Sequence, residues 1–333
     1  MVNFLARKLG AAVVTGYVKT VPILAGACML LTLSAFAGDD GPKLTIRQAP
    51  REDPAGQATL RVDSNLVLIP VSVTDPHNHP VTGLAPQQFR VFEGKTEQRV
   101  LDCSAVDAPL SIGILFDSSG SMANKLGPAQ QAVRQFLQTA NPDDEFFLVN
   151  FAAKAELTVP FTSDAGDIIN RLMWTQSKGK TALLDAVHTG LAYMKQARHP
   201  RRALLVISDG GDNDSRITAG DIKNEVIEAD TWIYSVGIFE DHLQVFAEEE
   251  RGGPKLLTDL SESTGGRLVT VHSANELPDA AERVGRELRH QYVLTYSPEN
   301  AAHDGKFHHV QVKIASRSDL RVTWRQGYYA PEN

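Results

Sequence analysis

The sequence predicts an α/β protein: an open, doubly wound, mostly parallel sheet inserted in a small β-sandwich built from N-terminal and C-terminal strands. Three observations carry this expectation. Between residues 107 and 290, apolar strand-like runs alternate with amphipathic helical stretches, the pattern of strands joined by covering helices. Several of those runs, "PLSIGILFD" above all, are apolar throughout, as strands buried on both faces are. Residues 59–106 and 291–333 instead alternate apolar and polar side chains with no helix between them, which suits antiparallel strands with one buried face.

At the start of the chain, Arg7, Lys8 and Lys19 precede the uncharged run "VPILAGACMLLTLSAFA", which ends in Ala35-Phe36-Ala37. This is the layout of a secretory signal peptide over residues 1–37, cut after Ala37, and hence of a secreted or periplasmic protein. The alternative is an uncleaved N-terminal membrane anchor, for which a run of 17 residues is marginal in length. Cleavage would remove those three cations and no acid, taking the formal net charge from −7 to −10. So acidic a chain argues against nucleic acid or anionic lipid as the main partner. Cleavage would also remove Cys28 and leave Cys103 as a lone thiol, so stability must rest on a packed core. Residues 38–58 are rich in Gly, Pro and charge without periodicity, and read as a linker.

The first part of the sandwich, residues 59–106, holds "TLRVDSNLVLIPVSVTD", a turn "PHNHPVTG", and "LAPQQFRVFEGKTEQRVLDC". Three or four strands fit here, too few to close a two-sheet core. The second part, residues 291–333, supplies the remainder through "QYVLTYSP", "KFHHVQVKIA" and "LRVTWRQGYYA". Between them, "PLSIGILFD" is a strand, "PAQQAVRQFLQTA" a helix, "DEFFLVNFA" a strand and "AELTVPFT" a short edge strand. "DAGDIINRLMW" and "ALLDAVHTGLAYMKQA" are helices, followed by the strand "RALLVISD", the helix "AGDIKNEVIEA" and the strand "TWIYSVGIF". The helix "LLTDLSEST", the strand "GRLVTV" and the helix "ANELPDAAERVGRELRH" complete the series. Each helix repeats its apolar residues at three- and four-residue spacing.

Ligands of such sheets bind beyond the carboxyl ends of the strands. Asp117 ends its strand, Ser119 and Ser121 follow on the loop, Asp209 ends "ALLVISD", and Thr181 lies in a loop entering a helix. The topology thus brings two carboxylates and three hydroxyls to one edge. Such a donor set suits a hard divalent cation that wants about six oxygens and keeps some waters.

The run Asp117-Ser118-Ser119-Gly120-Ser121, Thr181 in "GKTALLDA" and Asp209 in "LLVISDGGD" resemble the metal-ion-dependent adhesion site (MIDAS) of von Willebrand factor type A domains, also found in integrin inserted domains. The resemblance covers roughly residues 107–290 and implies a Rossmann-like fold. It also implies that Asp117, Ser119, Ser121, Thr181 and Asp209 hold Mg²⁺, with Mn²⁺ or Ca²⁺ as alternatives, some of them through water. The flanking strands and the "GYYAP" ending are similar to bacterial secreted proteins, common in acidobacteria, that carry a type-A-related domain. The chain departs from the family at Lys178-Gly179-Lys180, where members often have a glycine before the Gly-Thr pair; this bears on ligand preference rather than on the site.

Other residues fit simpler roles. "DSSGS" lacks the first glycine of a nucleophile elbow. Residues 209–216, "DGGDNDSR", lack the spacing of a calcium loop and read as a solvated surround. Asp185 suits a hydrogen-bonding role toward the Thr181 loop. The pairs His77/His79 and His308/His309 read as exposed polar residues, and Trp174, Trp232 and Trp324 as packing residues. In the last helix Leu277, Ala281, Val284 and Leu288 share a face, and the helix is placed to transmit a shift of the α/β layer to the sandwich.

The function expected is that of a non-enzymatic, exported, metal-dependent binding protein whose ion captures an Asp or Glu carboxylate of a protein partner. A metal-assisted hydrolase is the alternative, and would need a base such as Asp212 or Asp214. A scaffold with a purely structural metal is the third reading.

Overall fold

The computed structural model describes residues 66–105, 107–239, 252–298, 304–315, 317 and 319–330; the leader and linker assigned to residues 1–37 and 38–58 lie outside them. The first alternating stretch forms strands β1 (Val67–Thr74), β2 (Phe89–Glu93), β3 (Thr96–Gln98) and β4 (Val100–Ala105). The last forms β11 (Tyr292–Tyr296), β12 (Phe307–Ile314), β13 (Arg321–Trp324) and β14 (Gly327–Tyr329). They interleave in two four-stranded sheets, ordered β13-β1-β11-β4 and β14-β12-β2-β3. Alternate residues of each strand fill the space between: Ile69, Val71 and Val73 of β1 meet Phe89, Val91, Leu294, Val310 and Val312. The sandwich therefore draws half its strands from each side of the intervening α/β layer.

That layer contains β5 (Leu110–Asp117), α1 (Leu126–Gln138), β6 (Glu145–Phe151), β7 (Ala155–Thr162), α2 (Ala165–Met173) and α3 (Leu183–Met194). It continues with β8 (Arg201–Ser208), α4 (Ala219–Glu228), β9 (Trp232–Ile238), α5 (Gly253–Ser263), β10 (Leu268–Val271) and α6 (Leu277–Arg289). The sheet order is β10-β9-β8-β5-β6-β7, parallel except for the antiparallel edge strand β7. Every residue of β5 is buried. Its Ile112, Ile114 and Phe116 pack with α1 and α6 on one face, and Leu115 with Leu183, Val187 and Leu191 of α3 on the other. Each large aliphatic side chain so buried contributes about 1.5–3 kcal/mol, and Cys103, the one cysteine among the described residues, is a free thiol. Helix starts are set locally: the Asp164 side chain accepts from Gly166 N ahead of α2, and Thr218 with Asp221 forms a capping box on α4.

Helix α6 joins the layers. Its apolar face, with Leu277, Ala281, Val284 and Leu288, is buried against α1 and the sheet. Its Glu287, also buried, accepts hydrogen bonds from Ser72 of β1 at 2.9 Å and Tyr234 of β9 at 3.1 Å. Arg267 Nε donates to the other carboxylate oxygen at 2.8 Å. Arg267 Nη2 lies 2.8 Å from that oxygen as well, in ion-pair range but out of hydrogen-bonding alignment.

Two expectations are corrected. Trp232 is buried, and Trp324 is half-buried with its indole N–H donated to Val310 O, but Trp174 is 81% exposed. The buried residues of α2 are Ile168 and Leu172, and a residue two places beyond Leu172 turns to the opposite side. His77, His79 and His309 are exposed, whereas His308 is held between two carboxylates, with Nδ1 2.6 Å from Glu93 Oε1 and Nε2 3.2 Å from Asp304 Oδ1. Glu93 reaches it from the neighbouring strand, because β12 pairs with β2.

Candidate metal centre at the carboxyl edge of the sheet

The loop after β5 is fixed by its own short side chains. Asp117 is fully buried; its Oδ1 accepts from Ser119 N at 2.8 Å, closing an Asx turn, and its Oδ2 accepts from Ser208 Oγ at 2.6 Å. Ser118 donates through N and Oγ to Phe151 O of β6. Ser119 then enters a 3-10 turn over Gly120–Met122, which brings Ser119 Oγ and Ser121 Oγ to 3.0 Å.

A second loop is stitched onto the first. Lys178 N donates to Ser118 O and Gly120 N to Gly179 O, each at 2.9 Å, and Ser177 Oγ donates to Ser119 O. Thr181 follows, nearly buried. Its N–H donates to Asn213 Oδ1 at 2.9 Å, and its carbonyl accepts from Asn213 N and Asp214 N.

The third loop leaves β8 at Asp209. Gly210 follows at φ +84°, and a Cβ there would meet the Gly253 backbone at 3.0 Å, so glycine is required for this exit. At Gly211 a Cβ would stand 4.0 Å from Thr181 Oγ1, which sets the threonine hydroxyl beside the Asp209 loop. Asp209 Oδ2 lies 3.2 Å from the ammonium of Lys125.

Asp117, Ser119 and Ser121 are thus linked by direct bonds, Asp209 follows the Ser208 whose hydroxyl holds Asp117, and Thr181 flanks the Asp209 loop. Burial, and then repulsion from Asp209, push the Asp117 carboxyl up to about 7. Two acids with a single ammonium between them leave negative charge uncompensated, which is the condition a divalent cation would relieve. Among the described residues no group of three or more His, Cys, Asp and Glu side chains is arranged for a metal. An ion here would therefore rest on two carboxylates and the hydroxyl oxygens, a hard donor set.

Asp185 serves a different loop from the one expected: its Oδ1 accepts from Arg216 N and Ile217 N at 3.0 and 3.1 Å. The side chains of residues 212–214 are also engaged. Asp212 accepts from Leu183 N and Ser215 Oγ, Asn213 holds Thr181, and Asp214 pairs with Lys180 at 3.3 Å. Lys125 is the participant that sequence reasoning missed. Its signal was position: a lysine at the N-terminus of α1 opposes the helix dipole, and burial there demands a carboxylate partner.

Comparison with known proteins gives the domain. Residues 112–211 match the family model described as von Willebrand factor type A domain. An uncharacterized protein of Borreliella burgdorferi is 25% identical over 189 residues, 50% of this chain and 55% of that protein; the chain thus spans about half the length of this relative. A von Willebrand factor type A structure from Catenulispora acidiphila is 13% identical with a TM-score of 0.48, covering 81% of this chain and 74% of that one. An aerotolerance-related membrane protein from Bacteroides fragilis is 18% identical with a TM-score of 0.43, covering 54% and 98%. The chain carries, across residues 112–211, a von Willebrand factor type A domain.

Proposed function

We propose that this protein is an exported, non-enzymatic binding protein that holds a divalent cation, Mg²⁺ before Mn²⁺ or Ca²⁺, and through it captures an Asp or Glu of a protein partner. Domains of this type commonly mediate protein–protein interaction. The observation that carries the metal reading is the gathering at one sheet edge of the fully buried Asp117 carboxylate and the Asp209 carboxylate, 11% exposed, beside the paired hydroxyls of Ser119 and Ser121. Asp117 and Asp209 supply charge, Ser119, Ser121 and Thr181 supply neutral oxygens, and the partner carboxylate completes the set. When bound, the cation supplies a Lewis-acidic site for that carboxylate. Ser208 and the Ser119 N–H orient Asp117, and the bonds from Asn213 fix Thr181.

Among the described residues no helix is long and apolar enough to cross a membrane. The leader in residues 1–37 supports export in the manner of the secreted bacterial proteins that this chain resembles. N-terminal sequencing of the mature protein is expected to begin at Gly38; an intact Met1 would favour the anchored form.

Calorimetric titration with MgCl₂ tests the site. Asp117→Ala is expected to abolish Mg²⁺ binding, and to abolish capture of the native partner, while leaving the folded state in place. Partner capture that survives both this substitution and EDTA would end the proposal.

A further inference from the structure

We propose that the partner segment taken at this site is an extended acidic strand with a bulky apolar or aromatic residue a few positions from its carboxylate, seated on Met173 and Trp174. The inference rests on the metal-binding reading above and extends it to the partner.

Met173 and Trp174 are 64% and 81% exposed, more than any other large apolar side chain described. They are adjacent, at the end of α2, and α2 does not need them for packing, since Ile168 and Leu172 form its buried face. Hydrogen bonds fix the end of α2 around them: Trp174 N donates to Arg171 O, Gln130 Nε2 to Leu172 O, and Asn150 Nδ2 to Thr175 Oγ1. An exposed tryptophan on a fixed base costs little further ordering when it is covered, and tryptophan is the residue most enriched at the centres of binding interfaces.

The pair is also joined by a short stretch of chain to the loop of the proposed cation. The segment after Trp174 is bonded onto the Asp117 loop through Ser177 to Ser119 O and Lys178 to Ser118 O. Only two residues lie between Trp174 and Ser177, so their Cα atoms are within about 11 Å. An extended peptide rises about 3.3 Å per residue. A carboxylate over the Asp117 and Asp209 edge and an apolar residue over Trp174 therefore fall within reach of one short extended segment.

Charge selects the same chemistry. Lys178 and Lys180 are exposed on the connecting loop. Lys180 is partnered by Asp214, and no ion pair is found for Lys178 among the described residues. A basic loop between a cation and an aromatic surface favours an acidic segment over a neutral one.

Selection of a phage-displayed random dodecapeptide library on the immobilised full-length protein in MgCl₂ tests this. The expected winners carry Asp or Glu with Trp, Phe, Tyr or Leu a few positions away. Trp174→Ser should bind those peptides at least about tenfold more weakly, with Mg²⁺ affinity by calorimetry unchanged. Winners without apolar bias, equal affinity for Trp174→Ser, or no enrichment would each overturn the proposal while the Mg²⁺ titration still reads the metal site. Peptides that need Trp174 but ignore EDTA and carry no acid would overturn both the acidic half of this proposal and the metal-dependent capture.

Discussion

The Lys125 ammonium lies 3.2 Å from Asp209 Oδ2, with both side chains only 11% exposed. Lys125 is therefore an internal counter-charge for an edge that holds two acids, and it stands where a divalent ion would draw on the same carboxylate. The ammonium and such an ion would repel each other, so the lysine would oppose metal binding while steadying the metal-free protein.

Lys125→Met separates these two effects. Breaking a buried pair leaves Asp209 uncompensated, and the metal-free protein is expected to lose about 3 kcal/mol in urea unfolding. Mg²⁺ should bind at least about tenfold more tightly and restore the lost stability. Weaker Mg²⁺ binding in the calorimeter would instead assign Lys125 to holding Asp209 in place for the ion.

Asp117→Asn keeps the acceptor for Ser119 N but removes a fully buried charge that Asp209 repels. In EDTA its thermal midpoint is expected to exceed that of the natural protein. The upward shift produced by MgCl₂ should vanish. Scanning calorimetry with and without the metal reads both; a retained Mg²⁺ shift would place the ion elsewhere.

Glu287→Gln keeps acceptors for Ser72 and Tyr234 but strips Arg267 of its counter-charge in a site where both side chains are nearly inaccessible. The expected loss is about 3–5 kcal/mol in urea unfolding. Because Glu287 lies on the helix between the layers, hydrogen exchange across Leu277–Arg289 also tests transmission. Protection that changes on Mg²⁺ binding supports a moving α6, and unchanged protection makes it a static strut.

His308 gives a pH dependence. The hydrogen bond to Glu93, with Asp304 on its other nitrogen, raises its affinity for protons above the ordinary value of 6.5. The imidazolium therefore stabilises the sandwich fully below 6.5, and the contribution fades as pH climbs through the raised folded value. Tyr296 and Tyr328 also donate to Glu93, which keeps that carboxylate facing the ring. The difference in urea midpoint between the natural protein and His308→Gln should shrink as the buffer is moved from about pH 6 to about pH 9. A difference constant over that range would show that folding does not raise the ring's affinity for protons.

Much of this was legible in the sequence because local periodicity and burial agree. β5 reads as a strand covered on both faces, and all its residues are buried; the helices of the α/β layer appear where apolar spacing placed them. The placement of Asp117, Ser119, Ser121, Thr181 and Asp209 was legible because they sit at strand ends and helix entries, where topology decides their neighbours. What escaped was contact between distant segments. Glu93 meets His308 across 215 residues, and nothing near either residue announces the other. Trp174 was misread because "RLMW" is apolar as a string, whereas helical geometry turns its last residue away from Leu172. Asp185 was placed on the correct helix, but its acceptor oxygen serves the backbone of residues 216 and 217.

In the register of β4 with β11, Ala105 stands opposite Tyr292 in an antiparallel pair. Residues 106–291 accordingly occupy the place of a hairpin turn, and their two ends leave the sandwich about 5 Å apart. The α/β layer is plugged into the sandwich like a cassette, with both leads in neighbouring sockets. A designed two-residue turn joining β4 to β11 would preserve the strand connectivity of the sandwich, and an unrelated domain with adjacent termini could be mounted in the same socket. A partner pulling on the metal edge would load both leads side by side, sharing tension between two strands of one sheet.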